Sequence, residues 1–152
     1  MIYLDTSALV KEYHDEEGSD YVHDLFRKAR GGEHKLGISL WGVSETINAL
    51  DKHKRRGELG ESDFEFVIGA IFSDLLELEE LGALDVLELE TRLVKLSWEL
   101  IISDHLSAGD ALHLVTALDR NASRFLAADR RLVAVAGRKG LEALNVEKAM
   151  FP

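Results

Sequence analysis

A carboxylate follows the first apolar run of the chain, at a position that suits either of two roles. The run Ile2 to Leu4 is typical of a buried strand, and it ends on Asp5, which Thr6 and Ser7 follow directly. One role for Asp5 is to cap the helix that begins here, because a side-chain oxygen at that position accepts a backbone N–H. The other role is that of a functional acid held at the end of a rigid strand. The residues around Asp5 alone leave both roles open.

Three further acids occupy positions where carboxylates could act together. Asp129 ends the apolar run "RFLAA" and precedes a helix, and function in open α/β sheets collects beyond the C-terminal ends of strands. Glu45 lies within a helix, about opposite its apolar stripe, and Asp110 lies in the first turn of another helix. Each has an ordinary alternative. These are an N-cap for Asp129, a capping box with Ser107 for Asp110, and a solvated helix face for Glu45.

The elements that would position these acids alternate between strands and helices. Apolar runs predict strands at the first run and at "KLGISL", "LDVLEL", "RFLAA" and near "ALNVE". Periodicity and capping signals predict helices at "TSALVKEY", Gly18 to Ala29, "WGVSETINALDKHKRR", a segment from near Ser62, "ETRLVKLSWELIIS", "SAGDALHLVTALDRN" capped by Ser107, and "RRLVAVAGRKG". Strands separated by helices imply an α/β fold with a mostly parallel sheet covered on both faces.

The composition limits the classes of protein to which the chain can belong. Its 152 residues, 46% of them hydrophobic, suffice for one domain over residues 1–152 and are too few for two. The absence of Cys excludes a disulfide scaffold, a thiolate zinc site and a cysteine nucleophile. No signal peptide is recognisable, and the longest apolar run, "FVIGAIF", is far below the roughly 18 residues of a membrane span. The sequence therefore predicts a cytoplasmic protein without a membrane segment.

The charge of the chain restricts how it could bind nucleic acid. With 18 Lys and Arg against 28 Asp and Glu, the formal net charge is −10, which argues against a broad phosphate-neutralising surface. A local basic run, "KHKRR", spans Lys52 to Arg56 and is a candidate patch. The alternative explanation is structural. The run would lie at the C-terminus of a helix that ends before Gly57, where cations complement the helix dipole.

Four blocks carry the four acids in order: "YLDTSALVK", "SLWGVSETINAL", "SAGDALHLVTAL" and "RFLAADRRL". Together they resemble the PIN-domain family, and more narrowly the VapC-type toxin ribonucleases, over nearly the whole chain. The resemblance implies a three-layer α/β/α domain that hydrolyses RNA with Mg²⁺ or Mn²⁺, held by Asp5, Glu45, Asp110 and Asp129. It also implies that Ser7 supports the site. The family usually has Thr or Ser two residues before the last Asp, where this chain has Ala127, so one supporting hydrogen bond is in question.

The residue types suit that chemistry. Mg²⁺ is a hard ion that prefers carboxylate oxygens, so a cluster of Asp and Glu fits it better than zinc. Hydrolysis of a phosphodiester needs an activated water and stabilised charge on the phosphate, both of which one or two metal ions supply. His113, beside Asp110, is either a further ligand or a helix residue near the core edge. Four neighbouring carboxylates without a basic partner also predict a raised pKa for at least one of them.

Two other functions compete with this interpretation. A haloacid-dehalogenase-like phosphotransferase also begins with a strand that ends in Asp, but it usually has a second Asp where this chain has Ser7. A catalytically silent binding module is the other alternative. It is suggested by the helix Phe64 to Leu81, whose apolar stripe is wider than one sheet face needs. That stripe is explained either by core packing or by an interface with a second copy or an antitoxin.

The resemblance also implies partners for the chain. We expect an RNA substrate, a homodimer and a small antitoxin protein. The basic residues Lys54, Arg55 and Arg56 are candidates for RNA contacts, because Lys and Arg side chains neutralise phosphates.

Overall fold

Strands and helices alternate along the chain in the computed structural model, which describes residues 1–149. The strands are β1 (Ile2–Leu4), β2 (Leu36–Ser39), β3 (Leu84–Leu87), β4 (Arg124–Ala127) and β5 (Glu142–Asn145). The helices are α1 (Thr6–Leu9), α2 (Ser19–Arg30), α3 (Leu40–Arg55), α4 (Glu61–Glu80), α5 (Thr91–Asp104), α6 (Ala108–Asp119) and α7 (Arg130–Arg138). The last three residues of the predicted domain, 150–152, lie outside the described part.

The strands form a single sheet in the order β3-β2-β1-β4-β5, and every pairing within it is parallel. This confirms the predicted α/β fold with a parallel sheet. From β1, the next two strands along the chain, β2 and β3, are added on one side, and β4 and β5 are then added on the other side. The strand order therefore reverses between β1 and β4, which are neighbours in the sheet.

Helices cover both faces of the sheet, which gives the predicted three layers. Side chains alternate across a strand, so Ile2 and Leu4 of β1 enter one core while Tyr3 enters the other. The first core holds α1, α2, α3 and α4, and the second holds α5, α6 and α7. The acids that follow β1 and β4 thus lie at one edge of a sheet that is packed on both sides.

The predicted first helix "TSALVKEY" is shorter in the structure than in the prediction. The α-helix ends at Leu9, and a 3₁₀ turn, Val10–Glu12, continues from it. Such turns are common at helix ends. Within this turn Lys11 is buried, and its amine pairs with Glu16 at 2.9 Å and with Glu147 at 3.3 Å. The remaining predicted elements agree with the structure to within a few residues.

The wide apolar stripe of α4 is divided between core and surface. Ile71 is buried, and four other members of the stripe pack partly against the core. Phe66, Phe72 and Leu76 lie largely in solvent, with exposed fractions of 77%, 51% and 65%. Core packing therefore explains one side of the helix and leaves the other side uncovered. None of the helices in residues 1–149 is both long and apolar enough to cross a membrane.

Candidate active site

Two of the predicted acids follow the two strands between which the sheet reverses. Asp5 comes directly after β1, and its backbone N–H donates to the carbonyl of Leu126 in β4 at 3.0 Å. Asp129 comes two residues after the end of β4. In open α/β sheets, ligands bind beyond the carboxyl ends of strands at such a reversal. The topology therefore brings Asp5 and Asp129 to the edge where a site is expected.

Asp5 is a buried carboxylate, 3% exposed, that also caps α1. Its Oδ1 accepts hydrogen bonds from the backbone N–H of Ala8 at 3.0 Å and from the Ser7 hydroxyl at 2.8 Å. The capping role considered from the sequence is thus confirmed. It does not exclude a second role, because both of these bonds use Oδ1 and neither uses Oδ2.

Burial raises the pKa of Asp5 to about 6, although the charge of His113 and the hydrogen bonds from Ser7 and Ala8 lower it. The charge of Asp110 raises it further, by a smaller contribution. The expectation that one of the acids has a raised pKa is confirmed. Its main cause is the removal of the carboxylate from water, however, and not the mutual repulsion of acids that the sequence suggested.

The peptide that precedes Asp129 is held by side chains from two sides. The Ser7 hydroxyl accepts a hydrogen bond from the N–H of Ala128 at 2.8 Å, and Nδ2 of Asn145 donates to the Ala128 carbonyl at 2.6 Å. Ser7 thus contacts both Asp5 and the segment that carries Asp129. Asn145 was not predicted as a site residue, because only the pairing of β4 with β5 brings it here.

The ordinary explanations for Asp129 and Asp110 are also present in the structure. The carboxylate of Asp129 accepts from the N–H of Leu132 at 2.8 Å and caps α7, and the residue is exposed. The N–H of Asp110 donates to the hydroxyl of Ser107 at 3.1 Å, which caps α6 and is one of the two bonds of a capping box. Both acids therefore begin helices that start at this edge of the sheet.

Glu45 is not on a solvated helix face, and that alternative is wrong. Its Oε2 accepts from the Thr6 hydroxyl at 2.6 Å and lies 2.9 Å from Nε2 of His113. Burial alone would raise the pKa of Glu45, but the hydrogen bonds from His113, Thr6 and Trp41 outweigh it and lower the pKa. The carboxylate is therefore held in its charged form between α1 and α6.

A glycine brings α6 close to Glu45. A Cβ on Gly109 would lie 2.8 Å from Oε1 of Glu45 and 3.6 Å from Nε1 of Trp41. Because Gly109 precedes Asp110, this close approach places the helix start that carries Asp110 beside Glu45. The structure thus gathers Asp5, Glu45 and Asp110 around the start of α1, and joins Asp129 to them through Ser7.

His113 is not placed as a ligand. It is buried, with 2% of its surface exposed, and both ring nitrogens have hydrogen-bond partners. Its Nδ1 lies 2.9 Å from the Tyr3 hydroxyl, and its Nε2 lies 2.9 Å from the Thr6 hydroxyl as well as from Glu45. His113 is therefore a buried residue of α6 at the edge of the core, as the alternative expected, and it forms part of a polar network there.

The acids fit a hard divalent cation by the chemistry of their donors. The side-chain charges that act most on Asp5 are those of His113 and Asp110, so no Lys or Arg is its main charge partner. A buried carboxylate of this kind is stabilised in its charged form by a bound cation. Within residues 1–149, no three acidic, histidine or cysteine side chains stand at metal-binding distances from one another. The acids therefore lie around the ends of β1 and β4, but they do not form a complete set of metal ligands in this arrangement.

The basic run is not brought to the acids. Lys54 and Arg56 lie on α3 or just beyond it, roughly 14 to 16 Å from Glu45 along the helix at the usual rise per residue. Lys54 pairs with Glu61 at 2.5 Å, and Arg55 pairs with Asp51 at 2.8 Å. In the described part of the chain, Arg56 makes no ion pair. The favourable position of these cations at a helix C-terminus is therefore confirmed.

Comparisons with known proteins agree with this architecture. The model of the PIN domain family matches residues 2–138. The structure of VapC20 from Mycobacterium tuberculosis, described as a sarcin-ricin loop cleaving toxin, has a TM-score of 0.65 at 16% identity and covers 89% of this chain and 95% of that one. PAE2754 from Pyrobaculum aerophilum has a TM-score of 0.63 at 25% identity and covers 97% of this chain and 90% of that one. No curated protein matches the chain in sequence.

Proposed function

The chain belongs to the PIN domain family, and from that premise we propose that it is a metal-dependent endoribonuclease, the toxin of a toxin–antitoxin pair. Membership of the family and the likeness to a VapC fold support a nuclease. The observation that carries the proposal is the meeting of Asp5 and the Asp129 segment at the sheet reversal, with Glu45 and Asp110 on the helices beside them. We propose that residues 1–152 act as one domain in the cytoplasm, where RNA is available.

Each acid has its own part in the proposed site. When bound, Mg²⁺ or Mn²⁺ would supply an activated water and offset charge on the phosphate, and its proposed ligands are Asp5, Glu45, Asp110 and Asp129. Thr6 and His113 hold Oε2 of Glu45, and Ser7 holds Oδ1 of Asp5. These contacts keep the carboxylates from turning, so little side-chain freedom would be lost when an ion binds.

We propose that residues 54–56 guide RNA, since a chain with a net charge of −10 needs a local basic surface to attract phosphates. Exposed Arg56 and the partly exposed Lys54 would contribute most. They would contact RNA away from the bond that is cleaved, because they lie at the other end of α3 from Glu45.

The function is tested by incubating total cellular RNA with the purified protein and Mg²⁺, Mn²⁺ or EDTA. We expect cleavage only with metal. Asp5→Asn, Asp110→Asn and Asp129→Asn should each lower the rate by at least about 100-fold, because an amide does not supply an anionic oxygen. Asp20→Asn, at an exposed helix start and not among the proposed ligands, is the matched control and should cleave normally. RNA that stays intact with either metal would favour a silent binding module instead.

The exposed side of α4 is the proposed interface with a second copy of the chain or with the antitoxin. Phe66, Phe72 and Leu76 expose large apolar side chains to water, and exposed apolar patches mark protein–protein contact sites. Light scattering should show a dimer that Phe66→Glu weakens while the thermal melting temperature stays nearly constant. A monomer at every concentration tested would refute the homodimer.

A further inference from the structure

We propose that Tyr3 and His113 are positioning residues that fix the carboxylate of Glu45, so that the affinity for Mg²⁺ or Mn²⁺ depends on a tyrosine that does not contact that carboxylate. The inference rests on the proposed function, because it assigns Glu45 to the metal site. Three side chains in a row support it. The Tyr3 hydroxyl lies 2.9 Å from Nδ1 of His113, and Nε2 of His113 lies 2.9 Å from Oε2 of Glu45.

The hydrogens in this row follow from the groups at its ends. Oε2 of Glu45 already accepts from the Thr6 hydroxyl at 2.6 Å, and a carboxylate only accepts hydrogen bonds. Nε2 of His113 must therefore carry a hydrogen and donate it to Glu45. With Nε2 donating to Glu45, Nδ1 faces the Tyr3 hydroxyl, which donates to a neutral ring and accepts from a charged one. The hydroxyl lies 2.9 Å from Nδ1, so it holds the ring in either form.

Tyr3 is held by its surroundings. Its side chain is completely buried. Its ring stacks on Phe125 at a centroid distance of 5.7 Å and meets the His113 ring edge-on at 5.9 Å. The phenol is thus held in place by packing, and it holds the His113 ring in the orientation that donates to Glu45.

The backbone makes room for this arrangement. A Cβ on Gly42 would lie 2.9 Å from Cε1 of His113, so only glycine lets α3 close onto the ring. With Oε2 bound to His113 and Thr6, the remaining oxygen, Oε1, lies beside Gly109 and the start of α6. The network therefore uses one oxygen of Glu45 and turns the other toward the helix that carries Asp110.

The consequence concerns metal affinity more than stability. Glu has several rotatable bonds, so a carboxylate that is free to turn loses side-chain conformational entropy when an ion binds. Groups that orient a metal ligand typically change metal affinity by about 10- to 100-fold when they are removed. We expect that range for His113 and a smaller change, about 3- to 10-fold, for Tyr3, which acts through it.

The test is titration of the metal-free protein with Mn²⁺, followed by electron paramagnetic resonance, which reads binding without any RNA. His113→Leu should weaken Mn²⁺ binding by about 10- to 100-fold. His113→Gln should recover part of the loss, because its amide N–H reaches the position of Nε2. Tyr3→Phe should weaken binding although it removes one oxygen remote from the ion. Ser97→Ala, a second buried polar position with 2% exposure, is the control and should bind as the wild type does.

A double variant tests whether Tyr3 acts through His113. Tyr3→Phe should cost no further Mn²⁺ affinity in the His113→Leu background, since the ring that it orients is gone. If His113→Leu fails to fold, the comparison of Tyr3→Phe with the wild type and with Ser97→Ala decides. A folded Tyr3→Phe protein that binds Mn²⁺ as tightly as the wild type overturns the inference. A wild-type protein that binds no Mn²⁺ overturns the proposed function itself, and the inference with it.

Discussion

Ser7 donates a hydrogen bond of 2.8 Å to Oδ1 of Asp5, and the same hydroxyl accepts one of 2.8 Å from the N–H of Ala128. One oxygen atom thus links the end of β1 to the peptide before Asp129. Two of the proposed ligands, far apart in the sequence, are therefore set relative to each other by a single side chain.

Ser7→Ala should weaken both the fold and the site. The substitution leaves the N–H of Ala128 without its acceptor, which costs about 1 to 3 kcal/mol of unfolding free energy. RNA cleavage should fall more than the loss of folded protein explains, because Asp5 loses a donor that orients it. Urea unfolding and cleavage assays measure the two effects. Ser44→Ala, which removes an exposed hydroxyl bonded within α3, is the control. A Ser7→Ala protein with normal cleavage would contradict the linking role.

Gly109→Ala should damage the site and leave the fold intact. The new Cβ would meet Oε1 of Glu45 at 2.8 Å, so the end of this side chain must shift and its hydrogen bonds with Thr6 and His113 must weaken. The displaced carboxylate would no longer face Asp110, so we expect Mn²⁺ affinity to fall by about 10-fold or more. The control is Gly69→Ala in α4, where nothing lies within 4 Å. That change should raise stability by up to about 1 kcal/mol through helix propensity. Equal Mn²⁺ binding by both variants would refute the prediction.

Asp5→Asn should stabilise the metal-free protein at neutral pH. The pKa of Asp5 rises from 3.8 to about 6 on folding, so the folded state binds this proton more tightly than the unfolded chain. Stability is therefore lost as the pH rises through this range, by on the order of 3 kcal/mol. Asparagine keeps the acceptor for Ser7 and Ala8 and removes the charge. Thermal melting in EDTA from pH 4 to 8 should show a decline in the wild type that is much smaller in the variant.

Saturating Mg²⁺ or Mn²⁺ should restore the wild type at neutral pH, since an ion that binds only the folded state stabilises it by about 2.7 kcal/mol at 100 times its dissociation constant. The same metal should have little effect on Asp5→Asn. If the wild type has the same melting temperature with and without metal, Asp5 does not bind metal and acts only as a helix cap.

Glu12→Gln should raise stability in mildly alkaline solution. In the described part of the chain, Oε2 of Glu12 is buried without a hydrogen-bond partner, and its other oxygen lies 4.0 Å from Arg30. Burial and the charge of Asp74 raise the pKa of Glu12 to about 8, against the opposing effect of Arg30. The folded state therefore loses stability as the pH rises toward and through that value.

Melting temperatures of the wild type and Glu12→Gln should diverge between pH 6 and pH 9, with the variant higher. Exposed Glu17→Gln, which removes the same charge nearby, is the control and should follow the wild type. A constant difference across this pH range would show that Glu12 does not titrate there.

Replacing residues 54–56 with Gln should weaken RNA binding and flatten its dependence on salt. Each phosphate contact that is lost lowers the slope of log affinity against log salt by about one. The control replaces Arg27, Lys28 and Lys35 with Gln, which removes the same charge from the last turn of α2 and from the residue before β2. Binding by the Asp110→Asn protein, which should not cut the RNA, is measured at several salt concentrations. If the two triple variants have equal salt slopes, residues 54–56 do not contact RNA and serve only at the C-terminus of α3.

The elements of the fold were predictable because their signals are local. Strand ends, the Ser107 cap and the glycines that end helices are encoded within a few residues, and the structure agrees with them closely. The positions of Asp5 and Asp129 followed from the rule that function collects at strand ends.

The contacts within the site were not predictable in the same way. Helical periodicity places Glu45 opposite the apolar stripe of α3, which is also where a solvated residue would lie. In the fold, that face meets Thr6 and His113 instead of water. Asn145 reaches Ala128 only because β5 pairs with β4, and Tyr3 meets His113 across 110 positions of sequence. No local pattern encodes such distant partners.

The strand order also decides when the active centre comes into being. β1 pairs with β2 early in the chain, but its other neighbour, β4, is separated from it by most of the sequence. Closing so long a loop is the slow part of folding such a sheet. A polypeptide still on the ribosome lacks Asp129 until β4 has been synthesised and has joined β1. Under the proposed function, an unfinished chain would lack one ligand of its site and would leave its own message and ribosome intact.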